Sequence, residues 1–256
     1  MASIGAFIPG SELDGKVALV TGASRKLGRA IARALAYGGA TVAINARTSR
    51  EEAEKVAEEI SAAGGRSAVF MADVTDAAAV NSMVQDIIAR FGRLDILVLN
   101  AAIRAEVPFL EISYEEWRRP LAMTLDGAFY CMQACLPAML RAGGGSIVTI
   151  GGQSSLSGAK RRVHGSVAKH GLLGMTRAIA REFGDRNVRA NCAVVGRINV
   201  EHRPDRTQDP DAVSKIPLGR KGEREEVAAA VRYLCGPGAS FITGQTVYVN
   251  GGQYMH

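Results

Sequence analysis

Short runs of Val, Ile, Leu and Ala alternate along this chain with longer amphipathic stretches. Val17–Val20, Thr41–Ile44, Ser67–Met71, Leu94–Leu99, Ser146–Ile150, Val188–Val194 and Thr246–Asn250 have the length and composition of buried strands. Helical periodicity fills the gaps: Arg29–Tyr37, Ser49 to about Ala63, Asp76 to Arg90, Ser113 past Pro120 to about Leu140, Ala168–Phe183 and Arg224–Leu234. Ser49 with Glu52, and Ser113 with Glu116, have the spacing of capping boxes, and Asp76 stands where a helix cap is needed. Leu94–Leu99 is apolar on both faces, as an interior parallel strand must be. The repeated strand–helix order predicts an α/β fold, a doubly wound parallel sheet with helices on both faces.

No repeat, low-complexity tract or linker interrupts the pattern, so residues 1–256 are expected to form a single domain. Residues 1–13 precede the first strand as an N-terminal extension. Residues 197–223 form a long polar stretch rich in Pro and Asp, which reads as a lid over a site.

Composition narrows the function. No apolar run approaches the roughly 18 residues of a membrane span, and the N-terminus lacks a signal-like basic and apolar stretch. The four cysteines show no ligand or redox spacing, so reduced thiols in a cytoplasmic protein are expected, with no metal. The net charge of +6 comes from basic residues scattered among acids, without an aromatic and basic platform. Nucleic acid and membrane are therefore not expected as partners, and an anionic small-molecule substrate is.

The candidate chemistry begins at Val17–Val20, which runs into Thr21-Gly22-Ala23-Ser24-Arg25-Lys26-Leu27-Gly28. A strand, a Gly turn and a helix start aim free N–H groups and a positive helix end at a phosphate. The spacing resembles the cofactor motif of the short-chain dehydrogenase/reductase family. Asp73-Val74 resembles that family's adenine-contacting pair, and Asn100-Ala101-Ala102 its motif after strand four. Ile216-Pro217-Leu218-Gly219-Arg220 and the stretch from Thr243-Gly244-Gln245 to Asn250-Gly251-Gly252 are similar to the C-terminal signature of β-ketoacyl-carrier-protein reductases. The resemblance runs from about Asp14 to Gly252 and implies a Rossmann fold and a nicotinamide cofactor. It also implies a homotetramer, which suits the broadly apolar helical segments Leu121–Leu140 and Ala168–Phe183 and the terminal Tyr254 and Met255.

Charge selects the cofactor. A site for NAD places an acid at the end of strand two, where this chain reads Asn45-Ala46-Arg47. Arg47 and Arg25 suit a 2′-phosphate, so NADP(H) is expected. Gly22, Ser24, Arg25, Lys26, Leu27, Gly28, Arg47, Asp73, Val74, Asn100, Ala101 and Lys169 form the expected cofactor set. Lys26 takes the place of the motif's middle Gly, as a basic residue does in pteridine reductases.

The reactive end departs from the family. Its Lys aligns with Lys169, but its Tyr, Ser and Asn positions hold Gly165, Gly152 and Thr124. Val195-Gly196 replaces the Pro-Gly, Val200 a nicotinamide-contacting Thr, and Ala102 a Gly. A positioned general acid supplies about 10²- to 10⁴-fold, or about 3 to 5 kcal/mol. His164 is the best substitute acid, ahead of Ser154, Ser155 and Ser166; the alternative is a surface histidine pointing away. Lys169 either holds the ribose or acts as a base or Schiff-base former. The basic run Lys160-Arg161-Arg162-Val163-His164 favours a carboxylate, phosphate or thioester-carrier substrate. Three functions follow: an oxidoreductase with an atypical active site acting on a small anionic carbonyl or alcohol, a lyase or isomerase, or a silent NADP(H)-binding protein.

Overall fold

A computed structural model of the chain describes residues 7–199 and 213–255. Among them, one parallel seven-stranded sheet runs in the order β3-β2-β1-β4-β5-β6-β7. Its strands are β1 Val17–Val20, β2 Thr41–Ala46, β3 Arg66–Met71, β4 Ile96–Leu99, β5 Gly145–Gly152, β6 Val188–Val195 and β7 Thr246–Val249. The helices are α1 Lys26–Tyr37, α2 Arg50–Ala62, α3 Ala77–Phe91, α4 Tyr114–Leu121, α5 Gly127–Arg141, the single turn α6 Ser154–Ser157, α7 Val163–Phe183 and α8 Arg224–Cys235.

The period of two along each strand divides the interior. Ala18 and Val20 face one core with Ile31 and Leu35 of α1, Val56 and Ile60 of α2, and Val231 of α8. Val17 and Leu19 face the other, with Val80 and Ile87 of α3, Met132 of α5 and Leu172 of α7. Strand order reverses between β1 and β4, so their connections leave on opposite faces and open a crevice at the carboxyl ends of the strands.

Several boundaries differ from the sequence expectation. β4 starts at Ile96 because Asp95 serves as an anchor, accepting from the Val17 N–H at 2.9 Å and from both arms of Arg93 at 2.8 and 2.6 Å. Asp76 caps α3 by accepting from Ala78 and Ala79, and the Ser113–Glu116 capping box forms. The Ser49–Glu52 box does not; Ser49 makes no cap bond, and Glu52 lies 3.9 Å from Arg25 instead. The long helix after Ser113 is broken by a wide π-type turn at Ala122–Asp126, which carries Thr124. α7 begins five residues before the expected start, because burial of His164 holds a first turn whose own sequence lacks apolar periodicity.

The described part of the N-terminal segment is packed rather than appended. Gly10 donates to the Tyr37 carbonyl at 2.8 Å, Glu12 pairs with Arg232, and Leu13 enters the core. Of the expected lid, the base is closed by a bridge between Ile198 and Gly222. Val200 and the lid's middle, 200–212, lie outside the described residues.

Candidate active site

The carboxyl ends of β1, β2 and β4 are tied into one rigid floor. The Thr21 hydroxyl donates to the Val98 carbonyl at 3.3 Å and accepts from the N–H groups of Asn100 and Ala101 at 3.0 and 3.1 Å. The Asn100 amide donates back to the carbonyls of Thr21 and Gly22, at 2.9 and 3.0 Å. Buried Asn45 accepts from the Gly22 N–H at 3.3 Å and donates to the Ala72 carbonyl at 3.1 Å.

Gly22 turns the chain at φ 61°. A Cβ at Gly28 would collide with the Gly22 carbonyl oxygen and lie 2.7 Å from the Asn100 amide. The helix must therefore start hard against the turn. Arg25 sits at the N-cap in extended conformation without a side-chain cap, and the first turn of α1 holds no acid. Its N–H groups and positive end are unclaimed by side chains. Lys26 adopts φ 50°, so the turn keeps the backbone a glycine would supply while adding a cation. Ser24 and Leu27 are half-buried beside it. This cradle fits the pyrophosphate of a dinucleotide.

At the end of β2, Arg47 lies 3.6 Å from Asp73, and Arg25 lies across the loop from Glu52; all four are partly exposed. Burial pushes the Asp73 carboxyl up, but the N–H and hydroxyl of Thr75, together with Arg47, outweigh it and hold it below the usual range. Val74 is buried against Gly127. Arg47 and Asp73, with Val74 next to it in the chain, thus lie together at one edge of the crevice.

At the other edge, Gly165 and Lys169 are four residues apart on α7 and share a face, whereas His164 lies about 140° round the helix from Lys169. Lys169 donates to the Ile150 carbonyl at the end of β5. Desolvation pulls its ammonium down to about 8, with Cys192 acting weakly the other way. A Cβ on Gly165 would meet nothing within 4 Å, and one on Gly152 only the Ser154 hydroxyl at 3.9 Å. His164 is fully buried, not a surface residue, and neither ring nitrogen has a hydrogen-bond partner. Thr124 is buried and lines a small cavity with Thr21, Val74 and Ala101. Ser154 and Ser166 are linked through the Ser154 carbonyl at 3.3 Å, and Ser155 is spent on the Gly152 carbonyl at 2.7 Å.

Two residues were not singled out in the sequence. Asn45 ties β1 to β3, and its signal was a polar residue inside an apolar strand. Gln153 follows Gly152 at the carboxyl end of β5, where ligand-facing residues gather. Its buried Oε1 has no partner, which marks it as a waiting acceptor.

Among the described residues, no helix is long and apolar enough to cross a membrane, and the cysteines are free and buried. Burial pushes the thiols of Cys131 and Cys235 up to about 12.

The family model described as enoyl-(acyl carrier protein) reductase matches residues 22–254. A 3-oxoacyl-(acyl-carrier-protein) reductase of Staphylococcus aureus (strain N315) is 38% identical over 243 residues, covering 94% of this chain and 98% of its own. A protein of the same description from Synechocystis is 36% identical over 244 residues, covering 95% and 98%. Among solved structures, a dehydrogenase/reductase from Sinorhizobium meliloti 1021 matches with TM-score 0.90 and 32% identity, over 96% of this chain and 98% of that one. A double mutant of a Serratia marcescens short-chain dehydrogenase/reductase matches with TM-score 0.88 and 35% identity, over 94% and 99%.

Proposed function

The chain belongs to the short-chain dehydrogenase/reductase family, related to 3-oxoacyl-(acyl-carrier-protein) reductases, and from that premise we propose that it is an NADP(H)-dependent oxidoreductase of a small anionic substrate with a rearranged proton route. The observation that carries this reading is the Gly22–Gly28 cradle at the switch point, open to phosphate and flanked by Arg25 and Arg47 without an acid at the end of β2. The cofactor, when bound, supplies or takes a hydride.

The chain's own residues do the rest. The first turn of α1 binds the pyrophosphate, and Arg47 exchanges Asp73 for the 2′-phosphate, to which its planar fork is better suited. Asp73 and Val74 frame the adenine. With the cofactor bound, Lys169 would be free to turn from the Ile150 carbonyl to ribose hydroxyls, and Gln153 Oε1 would be available to accept from a carboxamide. No side chain at Gly165 or Gly152 can protonate a carbonyl. The proton would then come from Lys169 or, after a change of rotamer, from His164. A soluble cytoplasmic homotetramer is part of the proposal, supported by the exposed apolar Tyr114, Phe129 and Val167 on α4, α5 and α7.

A second reading has its own support. The matched family model is described as an enoyl reductase, and hydride addition at the β-carbon of an activated double bond leaves an enolate that takes its proton at the α-carbon from solvent, so no donor need reach the carbonyl oxygen. Assays with NADPH and matched 3-oxoacyl and 2-enoyl thioesters separate the two by which is consumed.

Titration of NADPH and NADH into wild type and Arg47→Asp tests the cofactor assignment. The variant is expected to lose about tenfold in NADPH affinity, as loss of a charge-assisted phosphate contact implies. Unchanged preference would remove Arg47 from the site.

A further inference from the structure

Ahead of α7 the chain builds a basic wall at Lys160, Arg161 and Arg162. A cleft of about 320 Å³ is lined by Val107, Phe109, Ala159, Arg161, Arg162 and Val163, immediately before His164 and Gly165. Phe109 is 68% exposed and the adjacent Leu110 94%, so the apolar part of this cleft is uncovered among the described residues. Its two walls are joined by the Val107 N–H, which donates to the Arg161 carbonyl at 2.8 Å. Arg161 holds φ 63°, a left-handed backbone that long side chains adopt at a cost and that collects at functional sites.

The charges are unequal. Glu106 accepts from Arg104 at 3.1 Å and from Arg162, and these hydrogen bonds, Arg162's first, hold its carboxyl below the usual range. Arg161 and Lys160 have no acidic partner among the described residues. One carboxylate is therefore shared by Arg104 and Arg162, while the charge of Arg161 on the cleft wall is unmatched among the described residues. Glu106 is itself about two-fifths exposed, so its ion pairs cost little to open.

We propose that Glu106 is a resident anion in a carboxylate-binding site, and that a short apolar chain ending in a carboxylate enters the cleft by taking the place of Glu106 on Arg162 and Arg104. The apolar chain lies along Val107, Phe109 and Ala159, and Arg161 adds the charge that favours exchange. The inference rests on the proposed small anionic substrate, and it names the charge that substrate must carry and where it binds. Glu106 then sets specificity: neutral ligands gain nothing by displacing it, whereas anions recover both arginines.

Ligand-observed NMR titration of the full chain with hexanoate, hexan-1-ol and inorganic phosphate tests this without turnover. Hexanoate is expected to bind saturably and more tightly than either control. Glu106→Gln, which keeps the shape and removes the competitor, is expected to tighten hexanoate about three- to fivefold, the scale of an exposed ion pair, and to leave hexanol unchanged. Arg161→Gln is expected to weaken hexanoate by a similar factor. Absent saturation, hexanol or phosphate matching hexanoate, or an unaltered hexanoate affinity in Glu106→Gln would overturn the proposal. If hexanoate behaves as expected while no carbonyl or enoyl substrate oxidises NADPH, the anion site stands and the redox reading falls.

Discussion

Glycines occupy both ends of the crevice, for opposite reasons. At the cofactor end Gly28 is required by contact, since a Cβ there runs into the Gly22 carbonyl and the Asn100 amide. At the reactive end Gly165 and Gly152 stand in open space, where an added Cβ meets nothing or only a hydroxyl at 3.9 Å. The first pair is held by packing and by the hydrogen-bond network of Thr21, Asn45 and Asn100. The second pair has room for side chains in the backbone as it stands, which is what the proposed rearrangement of the proton route requires. The floor of the cofactor end is satisfied by the bonds of Thr21, Asn45 and Asn100, whereas at the other end buried polar atoms of Gln153 and His164 have no partner among the described residues.

The largest effect expected from this contrast is that of Gly28→Ala. Overpacking backbone against backbone should cost about 3 kcal/mol or more and abolish nucleotide binding, measured by chemical denaturation and cofactor titration. Retained binding would mean that the turn relaxes and the contrast is weaker than the distances indicate.

The next is a gain. Gly165→Tyr with Gly152→Ser places donors in space already present, on the face of α7 that carries Lys169. NADPH-dependent reduction of activated ketones should rise about 10²-fold, the lower end of general-acid catalysis. No gain despite normal NADPH binding would mean the nicotinamide end itself is misplaced, with Lys26 and Ala102 as the residues to revert.

Lys169 gives a smaller, pH-dependent effect. Its ammonium is held at about 8 in the fold against an ordinary 10.5. The unfolded chain therefore binds more protons between those values, and stability rises with pH through that window. Below pH 8 the full desolvation penalty is present. Lys169→Met should be more stable than wild type at pH 7 by about 1–2 kcal/mol. Its advantage should shrink as pH rises from 8 towards 10.5, and denaturation at pH 7 and 9.5 reads the difference. An advantage independent of pH would point to packing instead of charge.

The smallest change sharpens the comparison most directly. Gly165→Ala in open helical space should stabilise by up to about 1 kcal/mol, opposite in sign to Gly28→Ala. Destabilisation there would mean that the open position is needed.

The strand–helix alternation, the sheet class and the phosphate turn were all legible in order along the chain, because each depends on periodicity or on a few adjacent residues. β1 was bounded correctly from Val17–Val20 alone, and Asp76 and Ser113 capped their helices as their spacing implies. The expectation that Gly165, Gly152 and Thr124 stand at the family's Tyr, Ser and Asn positions rests on the register set by Lys169 alone, and it stays part of the proposal. Other features depend on what comes together from distant segments. Ser49 had the right spacing for a cap, yet Glu52 lies beside Arg25 from another helix start. His164 read as a surface residue or an acid, and only the packing of α7 buries it without partners. Arg47 and Asp73 were separate candidates until adjacent parallel strands set them 3.6 Å apart. Arg161, Arg162 and Glu106, which lie 55 and 56 positions apart in the chain, come together because two loops leave the same end of the sheet. Local pattern reports the backbone's own preferences, but burial, charge pairing and empty space belong to pairs of segments, and only the tertiary structure brings those together.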